Sequence, residues 1–296
     1  MKYRKSVGIL VAFIAGLSLL AGIIGILPTT GTGIHTFSSL HGKAVQIYGK
    51  GIYSNDSVAA AVQAIAQDWV TVFLGVPLLA LSCYFAGKNS LRARILLAGT
   101  LAYFLYTYMS YTFLCMYNPF FLVYVALMSM SFFALVLVML SFDLESLKNA
   151  FSDDFPVKTI GIVILAFAGT IGLMWLGRIV PPLLKGDFPS ILEHYTTLVI
   201  QAMDLGFVIP ISILSAVLLM KRRPLGLLLA SVMCMKGATM LTSLTAMVIS
   251  QSRSGIEMSI AEIIVFPVAN ILVLIGVFVF MKKIREPAKS AQDTIS

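Results

Sequence analysis

The chain has 296 residues, of which 59% are hydrophobic and only 11% charged, and its mean hydropathy is +0.95. That composition excludes a water-soluble domain and places the protein in lipid. The net charge of +8 reads as membrane orientation, and no nucleic-acid partner is inferred from it.

A stretch of about 20 apolar residues is the unit that crosses a bilayer. Eight such windows are expected, near 7–27, 69–87, 95–114, 120–142, 159–177, 196–220, 225–249 and 261–281. The first opens like a signal peptide, with Lys2, Arg4 and Lys5 before an apolar run. Its core is too long for a signal h-region and no A-x-A cleavage site directly follows, so a retained helix is expected. Between the first two windows lies an outer segment, 28–68, that begins with the turn-rich PTTGTG. Within it, Val58, Ala61, Val62 and Ile65 follow i, i+3, i+4, i+7 behind the cap candidates Ser54 and Asn55. They predict a helix running through Asp68 into the second window. The third window is rich in tyrosine (Tyr103, Tyr106, Tyr108, Tyr111), whose hydroxyls need partners in hydrocarbon or a place at the interface. The loop 143–158 carries four acids and two lysines and reads as a solvated linker.

The hydrophilic segments alternate in basic content. One set holds fifteen of the 21 Lys and Arg, including Lys88, Arg92, Arg94, Lys221, Arg222, Arg223, Lys282 and Lys283. The opposite set holds Lys43, Lys50, Arg178, Lys185 and Arg253. The bias puts both termini in the cytoplasm, and Trp69 and Trp175 then fall at outer interfaces.

Residues 7–28 set over 160–181 align Gly8 with Gly161, Ala15 with Ala168, Gly16 with Gly169 and Pro28 with Pro181. Pro77 precedes Lys88 by eleven residues, and Pro210 precedes Lys221 by eleven. The expected fold is therefore all-α, a polytopic membrane protein of eight transmembrane helices in two parallel four-helix repeats, 1–155 and 156–296. Chance likeness between apolar helices is the alternative.

Asp204 and Lys236 stand inside spanning windows, where an ionisable group costs from about 2.5 kcal/mol upward, so each needs a partner or a role. Gln201 and Asp204 share a face with Ser212 and Ser215; Lys236 shares one with Thr239 and Ser243; Asp68 with Thr71, Gly75 and Ser82; Glu262 with Asn270. These stripes predict a polar interior lined by Asp204, Lys236, Gln201, Asp68, Glu262, Asn270 and Tyr103, with Asp204 and Lys236 paired across the sixth and seventh helices. Pro77, Pro210 and Pro267 interrupt backbone bonding beside them. The alternative is that the stripes are helix-packing contacts. His35, His41 and His194 lie on the outer side, but no spacing supports a metal site. Cys83, Cys115 and Cys234 are scattered and expected to be packed thiols. LPTTG at 27–31 follows its apolar span instead of preceding one, Asn55-Asp56-Ser57 is a glycosylation sequon, and neither a phosphate loop nor G-x-S-x-G occurs. No catalytic residue, metal or cofactor is assigned.

Three stretches, GIYSNDS at 51–57, MYNPFFLVYVAL at 116–127 and DLGFVIP with LLMKRRPLGLLLA across 204–230, together resemble a family of bacterial multi-pass membrane proteins. The resemblance implies the bacterial cytoplasmic membrane and brings no activity or site residue with it. The leading expectation is binding or transport of a small polar or ionic solute through the helix-bundle interior. Two others stand beside it: a non-catalytic membrane module binding a protein partner or assisting envelope assembly through 28–68, and an intramembrane enzyme acting on a lipid-linked substrate.

Overall fold

A computed structural model describes residues 1–27, 30–152, 154–256, 258 and 260–286, without the side chains at 261 and 262. The chain runs α1 (Arg4–Ile26), β1 (His35–Ser38), β2 (Ala44–Ile47), α2 (Val58–Gly87), α3 (Leu91–Phe113), α4 (Phe121–Met139), α5 (Leu144–Asn149), α6 (Val157–Leu184), α7 (Val199–Met220), α8 (Pro224–Arg253) and α9 (Ile260–Lys283). Among the described residues, seven helices are long and apolar enough to cross a membrane: α1, α2, α4, α6, α7, α8 and the Ile263–Lys283 part of α9. The result is a helical bundle consistent with an integral membrane protein.

Helix α3, expected as the third span, is not among the seven. Its tyrosines, threonines and two arginines lower its hydropathy, and fourteen of its 23 residues are buried. It packs on α2, α4 and α8. A helix covered by other helices answers to its neighbours and need not be apolar all round.

Helices α2 and α7 share a local design. Each widens into one π turn, Thr71–Gly75 and Asp204–Val208, directly before the residue that precedes Pro77 or Pro210. Proline has no N–H and its ring crowds the carbonyl four residues back, here Phe73 and Gly206, so the helix relaxes by inserting a residue. Each helix then ends in a left-handed turn residue, Asn89 (φ 63°) or Arg222 (φ 53°), and the next helix starts at Leu91 or Pro224. Every one of these features recurs after 133 residues. Packing around the two hairpins differs. In the first half α1 lies against both α2 and α4; in the second, α6 packs on α7 and α9 on α8. Only 11% of the most apolar stretch of α6, and likewise of α9, is buried, so both present large apolar surfaces suited to lipid.

Two segments depart from expectation. Within 28–68, β1 and β2 form an antiparallel hairpin with His35 opposite Ile47 and Ser38 opposite Ala44. Val45 and Ile47 point inward, and Gly42 takes the φ of 72° that the turn requires. The helix behind it forms as expected, but its cap is Ser57, which accepts from Ala60 N–H at 3.1 Å. The loop 143–158 is not a solvated linker. Its Leu147, Ala150, Phe151 and Phe155 are buried, and the Phe151 and Phe155 rings pack on Phe280. Nearby, Glu286 accepts from Ser90 Oγ (2.8 Å), Leu91 N–H (2.7 Å) and Arg92 N–H (3.1 Å), tying the chain's last described residue to the start of α3.

Candidate functional site

Helix α8 is the spine of the bundle. Thirty residues long, it spans about 45 Å at 1.5 Å per residue. It touches α2, α3, α5, α7 and α9, and 61% of its most apolar window is buried. Lys236, Thr239 and Ser243 all face this covered side.

Lys236 is 8% exposed, and its Nζ lies 4.2 Å from the centroid of the Tyr106 ring of α3. The Tyr106 hydroxyl donates to Asp204 Oδ1 at 2.8 Å, and Trp175 Nε1 of α6 donates to Asp204 Oδ2 at 2.8 Å. The expected direct ion pair between Asp204 and Lys236 does not form: no ammonium–carboxylate contact within 4.0 Å joins them. Tyr106 stands between, with its ring face on the cation and its hydroxyl on the anion. Asp204 opens the π turn of α7, and both its oxygens are already held by neutral donors from α3 and α6. Among the described residues the ammonium has no hydrogen-bond acceptor, so a cation–π contact is what it gains in exchange for water.

One turn along α3, Tyr103 is fully buried and joins three helices. Its hydroxyl lies 2.8 Å from Gln67 Nε2 and 3.0 Å from Thr71 Oγ1 on α2, and 3.3 Å from Ser243 Oγ on α8. Gln67 also donates to Thr107 Oγ1 at 2.8 Å, and its Oε1 is buried with no hydrogen-bond partner among the described residues. The other expected site residues are dispersed. Gln201 is buried one turn before Asp204. Asn270 accepts from Thr242 Oγ1 at 3.1 Å on another side of α8. Asp68 sits in a separate cage of tyrosines. Glu262 lies outside the residues whose side chains are described.

Three residues that complete this interior carry little signal in the sequence: Tyr106 is one tyrosine of several, Gln67 is a neutral side chain beside Asp68, and Trp175 matches the pattern of an interfacial residue. A tryptophan with its N–H on a carboxylate is half-buried and faces inward; Trp69, half exposed, fits the interfacial role.

Clefts lie at both ends of α8. The one at the Pro224 end, about 510 Å³, is lined by Lys148, Asp154, Arg222, Leu227 and Arg285. The one at the Arg253 end, about 400 Å³, is lined by Lys43, Gln46, Val58, Glu193 and Ile256. Between them runs the polar interior.

Beside the cleft at the Arg253 end of α8, the 193–195 loop is latched to the turn before α2. Ser57 Oγ donates to Glu193, Tyr195 Oη donates to Asp56 Oδ1 at 3.0 Å, and His194 Nε2 lies 3.0 Å from Asn55 O. Asp56 is 1% exposed and also accepts from Met116 N–H at 2.9 Å. Burial pushes its carboxyl up to about 6, against the opposing pull of the Met116 and Tyr195 hydrogen bonds, with Glu193 adding a smaller upward push. Burial raises Glu193 as well. The folded state therefore binds these protons more tightly than the unfolded chain. The stabilisation is fully present below the unfolded value near 4 and is lost as pH rises through about 6. A shift of two units corresponds to roughly 2–3 kcal/mol. Wild-type protein is expected to melt lower at pH 7.5 than at pH 5, and Asp56→Asn should flatten that dependence; equal pH dependence in both would contradict the assignment.

The histidines do not converge. His35 bonds the Gly33 carbonyl, His41 stacks on Phe188, and His194 belongs to the latch. Among the described residues no group of three or more His, Cys, Asp or Glu could hold a metal ion. The three cysteines are free.

No family model, curated protein or solved structure matches the chain. The site is read from its own chemistry.

Proposed function

We propose that this is a multi-pass membrane protein that binds or carries a small polar or ionic solute along the inward face of α8. The observation that carries the reading is the buried ammonium of Lys236, held on a tyrosine ring with no hydrogen-bond acceptor among the described residues, while Asp204 is held by the hydroxyl of the same tyrosine. Charge of both signs in a bundle interior is costly as architecture and useful for a solute. Two helices broken by π turns at this level, and clefts at the two ends of α8, support the same reading.

In this reading α3 crosses the membrane as an eighth span. Both termini face the cytoplasm of a bacterium, following the basic bias of the loops. The halves 1–155 and 156–296 are related as parallel repeats, supported by the 133-residue recurrence of π turn, proline and left-handed turn. Segment 28–68 serves as a lid on the bundle rather than a free docking arm, because its polar side chains are spent within the chain: Tyr53 on Asp68, Ser57 on Glu193, and Lys43 on the Phe188 carbonyl at 2.9 Å.

The test is water access. In a chain whose three native cysteines are replaced by alanine, single cysteines at Thr239 and Ser243 should react with a small hydrophilic thiol reagent, and cysteines at the exposed apolar positions Leu272 and Phe278 should not. Failure of both interior positions to react, while a cysteine at the exposed Thr36 does, would mean a sealed polar core and end the solute reading.

A further inference from the structure

The Asp68 carboxyl is enclosed from three sides. Tyr53, in the turn before α2, places its hydroxyl 2.6 Å from Oδ2, and Tyr111 of α3 places its own 3.0 Å from Oδ1. On the third side, Gly25 of α1 approaches so closely that a Cβ there would lie 2.0 Å from Oδ2. The residue is 2% exposed and has no ion pair among the described residues. Among the described residues, the other titratable side chains around the cage are Tyr103, Tyr108, Tyr124 and Cys115, none of them cationic.

Counting protons decides what the carboxyl is. The Tyr111 hydroxyl is also 2.8 Å from the Ala64 carbonyl oxygen. A phenol has one proton to give. If Asp68 were a carboxylate, Tyr111 Oη would face two acceptors with that single proton, and one close oxygen–oxygen approach would hold no hydrogen. A carboxylic acid removes the conflict. Asp68 Oδ1–H donates to Tyr111 Oη, Tyr111 donates to Ala64 O, and Tyr53 donates to Oδ2. Three protons then meet three acceptors, each at ordinary hydrogen-bond distance.

We propose that Asp68 is a proton-binding site of this protein, occupied in this conformation. It empties when Tyr53 or Tyr111 withdraws and water enters: the O–H bond breaks, its electron pair stays on Oδ1, and the proton leaves as hydronium. The cage shares no hydrogen bond with Asp204 or Lys236, so the proton site stands whether or not the solute reading does.

Infrared spectroscopy of the full chain in lipid bilayers at pH 7.5 tests this. The carbonyl stretch of a protonated carboxylic acid should be present in wild type and in Asp56→Asn, and absent in Asp68→Asn. Wild type and Asp68→Asn with the same spectrum in that region would overturn the proposal. Stability gives a second readout. Asparagine keeps one donor and one acceptor where the acid has them, so Asp68→Asn should change Tm by less than about 3 °C, while Asp68→Leu should lower it by clearly more. A carboxylate predicts the reverse for asparagine, a fall as large as that of leucine. If Asp68→Asn fails to fold, Tyr111→Phe serves: it should move the acid carbonyl band without abolishing it, and an unmoved band would count against the cage.

Discussion

Asp204→Asn is expected to be the most damaging substitution in the bundle interior, costing about 3–5 kcal/mol, because it removes the anion that Tyr106 links to the buried Lys236 ammonium. Lys236→Met should cost far less, about 1 kcal/mol, since Asp204 keeps its two neutral donors, Tyr106 and Trp175. The double variant should therefore resemble Lys236→Met, and a double-mutant cycle in thermal or denaturant unfolding should show strong coupling. Tyr106→Phe separates the two halves of the arrangement, removing the hydroxyl from Asp204 while leaving a ring under Lys236. If the costs of Asp204→Asn and Lys236→Met simply add, the two charges do not sense each other across Tyr106.

Gly25→Ala should be the most damaging change in α1, although alanine is intrinsically the better helix former by about 1 kcal/mol. The added methyl would sit 2.0 Å from Asp68 Oδ2, a position already taken, so α1 must move away from α2 or the Tyr53–Asp68 bond must break. A cost of about 3 kcal/mol is expected. Gly16→Ala in the same helix is the control: a Cβ there meets nothing within 4 Å, and the change should be neutral or mildly stabilising. Equal effects at both positions would mean that α1 does not press on the Asp68 cage.

Seven of the eight apolar windows and the continuous helix through Asp68 were legible because each follows from local composition or from a period of 3.6 residues. The interior was legible only in part. Spacing along one helix places Lys236, Thr239 and Ser243 on a common face, but it cannot say which residue of another helix lies opposite, and that is how Tyr106 comes to replace a direct ion pair. The π turns shift the register of α2 and α7 by one residue just where the polar stripes run, and only the two prolines hinted at them. The hairpin at 35–47 is not legible because four-residue strands carry almost no periodic signal. Loop 143–158 looks solvated because its acids and lysines outweigh Phe151 and Phe155, which are anchored by Phe280 more than a hundred residues away.

The proposed entry of a small polar or ionic solute into the charged interior around Lys236 is tested most directly by a thermal-shift screen of small anions, cations and zwitterions on the purified protein, run in parallel on the Asp204→Asn/Lys236→Met variant. Any solute that binds the native state selectively raises its melting temperature, by an amount that grows with concentration over Kd. At least one solute should stabilise the wild type in a saturable way and have no effect on the variant. A solute that stabilises both equally, or a broad panel that stabilises neither, would contradict it.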